Sequence, residues 1–247
     1  MVQPGIFSKS FFSFLTIFQN YVQGFIHLFY PHVCLQCASS ELLNSQVICD
    51  DCESKLPYTH FSSMSISPID KIFWGRAQIQ QANSILFFTK DSIVQKIIFE
   101  LKYKQNKKAG YLLGRLIAQD MLTNHAAIFP HFLIPIPISK KKQRKRGFNQ
   151  CQIICEGIID CGINAVIFNG LQKIKNTITQ THKDRLQRSM QTGPLFKLIN
   201  GASLCNKHIM IIDDVITTGS TLETAYHCLR EATPASISIS TAAYTFA

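Results

Sequence analysis

The sequence is short of charge, and shorter still of acid. Charged residues make up 16% of its 247 residues, with 15 Asp and Glu against 25 Lys and Arg, a formal net charge of +10. So little charge beside 46% hydrophobic residues excludes a disordered chain and supplies enough apolar surface for a core. The shortage of acid points to anionic partners: phosphorylated metabolites, nucleic acid or acidic lipid. Before His27 the only charged side chain is Lys9, so the apolar run over residues 11–26 lacks the basic start of a secretory signal, and no small-x-small cleavage site follows it. Gln19, Asn20, Gln23 and Gly24 interrupt the run, which argues against a spanning helix. Phe11, Phe14, Leu15, Phe18, Tyr21 and Val22 recur at helical spacing, so residues 1–33 are expected to form an apolar helix docked on the protein's own core. A membrane-surface helix is the weaker alternative, because its polar face carries no Lys or Arg.

Cysteine is not scarce, but its nine copies are an odd number and unevenly placed. Cys151, Cys155, Cys161, Cys205 and Cys228 are scattered among apolar residues, which points to a reducing, cytoplasmic setting and not to a disulfide framework. The other four read Cys34-Leu-Gln-Cys37, eleven residues, Cys49-Asp-Asp-Cys52. Two Cys-x-x-Cys turns bring four thiolates together and fill a tetrahedral shell, so residues 34–57 are expected to be a module held by a structural zinc. A redox role would need one such turn after a strand, not two in a short module.

Residues 58–72 are rich in Ser and read as a linker to a larger domain over residues 73–247. There, apolar runs expected as strands (residues 78–89, 132–138, 164–168, 208–213 and 236–243) alternate with helical patterns (residues 91–101, 110–122, 149–159 and 221–231). That alternation predicts an α/β fold, a mostly parallel sheet with helices on both faces.

Two segments carry chemistry. Ile209-Met-Ile-Ile-Asp213-Asp214-Val-Ile-Thr217-Thr218-Gly219-Ser220-Thr221 is an apolar strand ending in two carboxylates, then a hydroxyl-rich loop opening a helix. Gly219 lets the backbone approach an anion, and the amides at the helix start cradle phosphate with the helix dipole behind them. Asp213 and Asp214 would repel phosphate, so they suit sugar hydroxyls, with Mg²⁺ nearby. Residues 140–188 hold 11 Lys or Arg and 3 acids, a net of +8 that places most of the excess charge in one stretch. At its head Lys140, Lys141, Lys142, Arg144, Lys145 and Arg146 form a basic loop before Gly147-Phe148-Asn149-Gln150. These cations suit a diphosphate, and equally a single nucleic-acid strand on which Phe148 stacks.

The acidic pair and Thr217–Thr218–Gly219–Ser220–Thr221 resemble the 5-phosphoribosyl 1-diphosphate (PRPP) motif of type I phosphoribosyltransferases. The order of four cysteines, Leu101-Lys102-Tyr103-Lys104, the Pro135-Ile-Pro137 strand, Arg146-Gly-Phe-Asn-Gln and the PRPP motif is similar to the ComF family. Thr179-Gln180-Thr181 through Arg185 and Arg188 resembles the family's flap over the active site. The resemblance implies a type I phosphoribosyltransferase-like fold, ribose contacts from Asp213 and Asp214, and phosphate contacts from residues 217–221. It also implies diphosphate contacts from Lys140, Arg144 and Arg146, and further anion contacts from Lys102, Arg185 and Arg188. Zn would be structural and Mg would arrive with PRPP. The ComF family is linked to natural competence and DNA uptake, so single-stranded DNA and competence proteins are expected partners. Two readings stand at this stage: a phosphoribosyltransferase acting on PRPP, and a single-stranded DNA-binding protein with an inherited or regulatory phosphoribosyl site.

Overall fold

A computed structural model describes residues 33–40, 42–124, 128–174 and 195–245. The expected apolar helix therefore lies outside the described residues, except for Val33, and so do the segment from Thr179 to Thr181, Arg185 and Arg188. The chain divides into two compact units, one ending at Glu53 and the other beginning at Ser54. No helix among the described residues is long and apolar enough to cross a membrane.

The first unit is built around its cysteines. The Cys34 amide donates to the Ser39 carbonyl (2.8 Å), the Ala38 amide to the Cys34 carbonyl (3.0 Å) and the Leu35 amide to the Val47 carbonyl (3.1 Å). Those bonds close a knuckle with Ala38 at φ 59°. Val47 and Ile48, just before the second cysteine pair, are buried, and α1 (Asp50–Ser54) follows Cys49.

The second unit holds a sheet of β1 (Gln81–Phe87), β2 (Phe132–Pro135), β3 (Val166–Ile167), β6 (His208–Ile216) and β7 (Ser236–Tyr244). Their order is β1-β7-β6-β2-β3 and every pairing is parallel. The expected parallel α/β architecture is present. Separate from it, β4 (Leu171–Lys173) and β5 (Phe196–Leu198) form a short antiparallel pair.

Helices cover both faces. Side chains alternate along a strand, so Ile209 and Ile211 of β6 share a face with Ile237 and Ile239 of β7. They join one apolar cluster with Phe73 of α2 (Pro68–Phe73) and with Leu222, Ala225, Tyr226 and Leu229 of α7 (Ser220–Arg230). On the opposite face α4 (Lys107–Thr123) brings Asp120 and Met121 beside Met210, Ser238 and Ser240. α4 meets α6 (Gln150–Asp160) at close range because glycines face each other. A Cβ on Gly114 would come within 2.3 Å of the Ile154 carbonyl, and one on Gly157 within 2.8 Å of the Tyr111 carbonyl. α3 (Ile93–Tyr103) begins at Ser92, whose hydroxyl accepts from the Gln95 amide, and buries Val94, Ile97, Ile98 and Leu101 as its spacing predicts.

Two stretches differ from expectation. The serine-rich run expected as a linker carries a 3-10 turn at Phe61–Ser63 and then α2, whose Ser67 and Asp70 form a capping box with Pro68 in the first turn. Phe61 and Ile69 from this run, and Phe73 just after it, are buried. The basic loop is instead a helix, α5 (Lys140–Arg146), capped by the Ser139 hydroxyl and closed by Gly147 at φ 81°.

Candidate functional site

In a parallel sheet the crevice beyond the carboxyl ends of the strands, where the chain's direction of travel across the sheet reverses, is the place for a ligand. Here β2 runs on to β3 at one edge, while β6 runs on to β7 on the other side. The reversal falls between the neighbours β2 and β6. The loops leaving these two strands carry the basic segment and the Thr-rich segment.

Asp213 and Asp214 lie on β6, just past the end of β2, whose Pro135 pairs with Ile212. The Lys102 ammonium, one residue before the end of α3, sits 2.8 Å from Asp214 Oδ2, and the Asp214 side chain is only 7% exposed. Asp213 Oδ1 accepts from its neighbour's amide (2.8 Å) and from the thiol of Cys151 (3.3 Å), which is fully buried in the first turn of α6. Burial and the adjacent Asp214 carboxylate push the Asp213 carboxyl up to about 7 against the opposing pull of these donors and Lys102. Burial, with the charges of Asp213 and Asp214, pushes the Cys151 thiol well up, so it stays a protonated donor.

The Arg-Gly-Phe-Asn-Gln stretch locks the start of α6 against the site. Asn149 caps the Cys151 amide (3.1 Å) and donates from Nδ2 to the Ile136 carbonyl (3.0 Å), while Arg146 donates to Gln150 Oε1 (2.8 Å). Arg146 also lies over the Tyr103 ring at 5.6 Å, and Lys107 lies 5.7 Å from the Phe148 centroid. Lys102 thus meets the acidic pair, and its neighbour Tyr103 meets Arg146. Lys140 and Arg144 are exposed on α5.

The loop after β6 places Thr217, Thr218 and Ser220 at the surface and Thr221 half-buried. Gly219 is the position before α7, at φ 73°, with no side chain to cap the helix amides. Its pro-chiral face is blocked too: a Cβ there would lie 2.7 Å from Ile72 Cγ2 and 3.3 Å from the Phe73 ring. A residue with a side chain would meet both strain and a clash at this turn.

In the first unit the four sulfurs of Cys34, Cys37, Cys49 and Cys52 all lie within 4.8 Å of one another, with Cys37 and Cys49 at 3.6 Å. Sulfurs at the corners of a tetrahedron around zinc stand about 3.8 Å apart for Zn–S bonds of ~2.3 Å, so the cluster has the right size. The Cys49 amide donates to Cys34 Sγ at 3.4 Å. Burial raises the Cys34 thiol, but the backbone amides of Cys37, Cys49 and Gln36 outweigh it and bring it down to about 6. Burial and the crowding sulfurs push Cys52 up to about 12.

Residues 163–245, which span β6, the Thr-rich loop and α7, match the phosphoribosyl transferase domain family. Over its C-terminal part the chain is thus similar to phosphoribosyl transferase domains. It is 25% identical to the competence protein ComFC of Bacillus subtilis over 203 residues, 81% of this chain and 72% of ComFC. It is 26% identical to competence protein F of Haemophilus influenzae over 140 residues, 56% of this chain and 61% of that protein. It is 25% identical to the DNA utilization protein YhgH of Salmonella typhi over 132 residues, 51% of this chain. The chain spans only a little over half the length of YhgH, 56%. Together the domain and these homologues support a ComF-family protein of the phosphoribosyltransferase type.

Sequence reasoning missed the part played by Cys151. It stands 62 residues before Asp213, and nothing in its local pattern links the two. Asn149 was legible in part, since an Asn before an apolar helical run is a capping signal, but its second bond to the Ile136 carbonyl was not.

Proposed function

We propose that the crevice between β2 and β6 binds a 5-phosphoribosyl group, as in PRPP, and that the protein serves DNA uptake or utilisation in a reducing cytoplasm. The observation that carries this reading is the meeting of three elements at the carboxyl ends of two adjacent strands: an acidic pair, an uncapped helix start behind Gly219, and a cationic helix. The free amides at the start of α7, with the hydroxyls of Thr217, Thr218, Ser220 and Thr221, take the 5-phosphate. Asp213 and Asp214 accept hydrogen bonds from the ribose hydroxyls. Lys102 neutralises Asp214 and Cys151 orients Asp213, so the pair is held ready without both charges standing unopposed. Arg146, with Lys140 and Arg144 on α5, faces the leaving diphosphate, where cations stabilise the charge that develops as the glycosidic bond breaks. Carboxylate oxygens suit Mg²⁺, which takes one or two carboxylates together with substrate phosphates. When bound, it would supply charge neutralisation of the diphosphate. The resemblance also assigns anion contacts to Arg185 and Arg188, which lie outside the described residues. In the first unit the closed four-sulfur shell holds a structural zinc, and metal analysis should find one zinc per chain, lost in Cys37→Ser/Cys49→Ser.

Titration calorimetry with PRPP and Mg²⁺ tests the reading. Heat of binding in the wild type that disappears in Asp213→Asn/Asp214→Asn supports it. A zinc-loaded wild type that gives no heat sinks it.

A second reading, a binder of single-stranded DNA, is favoured by α5, whose six cations are all exposed or half-exposed, with Arg146 over the Tyr103 ring and Phe148 just past the helix. The two are compatible, because a strand terminus can present a ribose 5-phosphate. Absence of binding to a labelled single strand at low salt would remove the second.

A further inference from the structure

The phosphate loop has a support that belongs to no motif. Arg76 follows α2, and its Nη1 donates to two carbonyls, those of Ile72 (3.1 Å) and of Thr218 in the loop (3.0 Å). Its Nε donates to Glu223 Oε2 in the first turn of α7 (3.1 Å), and Nη2 reaches the same oxygen. Two residues on, the Gln78 amide donates to the Tyr226 hydroxyl (3.1 Å), and Ile72 and Phe73 press on Gly219. Residues 72–78 therefore back the whole turn from Thr218 into α7.

Two physical consequences follow. In a trans peptide the carbonyl and the next amide point in opposite directions. Arg76 holds the Thr218 carbonyl on its own side, so the Gly219 N–H points away from it, which fixes one amide of the cradle. The second consequence is electrostatic. A carboxylate in the first turn of a helix is attracted by the same dipole that attracts a bound phosphate. Glu223 is such a carboxylate, and left alone it would compete with the ligand and repel it. Arg76 cancels that charge through a forked contact that a lysine cannot reproduce.

We propose that Arg76 is a positioning residue of the phosphate site: it sets the Thr218–Gly219 peptide and neutralises Glu223 so that α7 is open to an anionic ligand. This rests on the reading that residues 217–221 bind phosphate. The guanidinium is engaged with Glu223 and with backbone carbonyls, and its side chain is 35% exposed.

The test is calorimetric titration with ribose 5-phosphate, which carries one phosphate and no diphosphate, with thermal denaturation to verify folding. Arg76→Ala should bind about tenfold more weakly than wild type. Arg76→Lys, which keeps the charge and loses the fork, should bind about threefold more weakly. Glu223→Gln should bind at least as well as wild type. The deciding variant is Arg76→Ala/Glu223→Gln, which should recover part of the loss, because the repelling charge has gone. A folded Arg76→Ala with wild-type affinity overturns the inference and leaves the phosphate reading intact. No recovery in the double variant also overturns it, since a loss due only to packing would not respond to the Glu223 charge. If Arg76→Ala does not fold, unchanged affinity in Arg76→Lys is the overturning result. A wild type that binds neither ribose 5-phosphate nor PRPP removes the phosphate reading, and this inference with it.

Discussion

The chain leaves two neighbouring strands at their carboxyl ends and both times enters a helix, but the two helices are opposite in kind. α5 follows β2 and buries none of its seven residues. Its start is sealed by the Ser139 hydroxyl on the Lys142 amide (3.3 Å), so what it offers an anion is side-chain charge. α7 follows β6 and buries Leu222, Ala225, Tyr226 and Leu229, and its start is left without a side-chain cap. What it offers is backbone, anchored in the core. Charge on an exposed helix can be changed residue by residue at little cost to the fold, whereas a backbone cradle cannot be altered without disturbing the packing that shapes it. The two halves of the site should therefore fail differently.

The largest break is expected at Gly219. Gly219→Val places a β-branched side chain at φ 73° against Ile72 and Phe73. Strain and overpacking together should cost roughly 2–4 kcal/mol, read as the shift in a urea midpoint, and binding of PRPP should be lost. If this variant is as stable as wild type, the claim that α7 presents its backbone from a rigid, packed turn is wrong.

Lys102 should come next. Lys102→Met leaves the nearly buried Asp214 carboxylate without its cation. Removing one partner of such a pair is expected to cost roughly 1–3 kcal/mol, since Lys102 is partly exposed. Asp214→Asn in the same chain should return much of that loss. If the double variant is no more stable than Lys102→Met alone, Lys102 acts by packing and not by pairing with Asp214.

On the other helix the expectation reverses. Lys140→Ala/Lys141→Ala/Lys142→Ala should change stability by no more than about 0.5 kcal/mol, because all three are exposed. It should still weaken diphosphate or single-strand binding. If single-stranded DNA is the ligand, the slope of log affinity against log salt should shrink by about two, because three cations no longer neutralise phosphates along the strand. An unchanged slope with weakened PRPP binding would assign α5 to the diphosphate alone.

The contrast between these helices also explains how far the sequence could be read. β6, the acidic pair and α7 were legible because one apolar run, one Gly and a cluster of hydroxyls state the strand, turn and helix locally. α5 reads as a loop because seven residues with six like charges argue against a helix, although Ser139 and Gly147 at its ends are capping signals in plain view. The Ser67-Pro-Ile-Asp70 capping box is hidden in the same way, inside a run whose composition reads as linker. The three-residue strands β4 and β5 are too short for periodicity to detect. The contacts of Cys151 with Asp213 and of Arg76 with Thr218 join residues 62 and 142 apart, and only the folded chain brings them together.

The last expected effect is a pH dependence that separates Asp213 from its neighbours. Burial and the Asp214 charge hold the folded carboxyl at about 7, above the ordinary unfolded value near 3.9. A raised folded value means the native state binds the proton more tightly. Its stabilising contribution is then fully present below about 3.9 and is lost as pH rises through about 7. Between pH 5 and pH 8 the wild type should therefore lose a few degrees of thermal midpoint that Asp213→Asn does not lose, once the shared drift of both proteins is subtracted. The same slope in both proteins would mean that the site holds Asp213 ionised throughout, with the Cys151 thiol and the Asp214 amide outweighing burial. In that case the acidic pair would meet a sugar hydroxyl as two full acceptors, and not as one acceptor and one carboxyl still partly protonated at neutral pH.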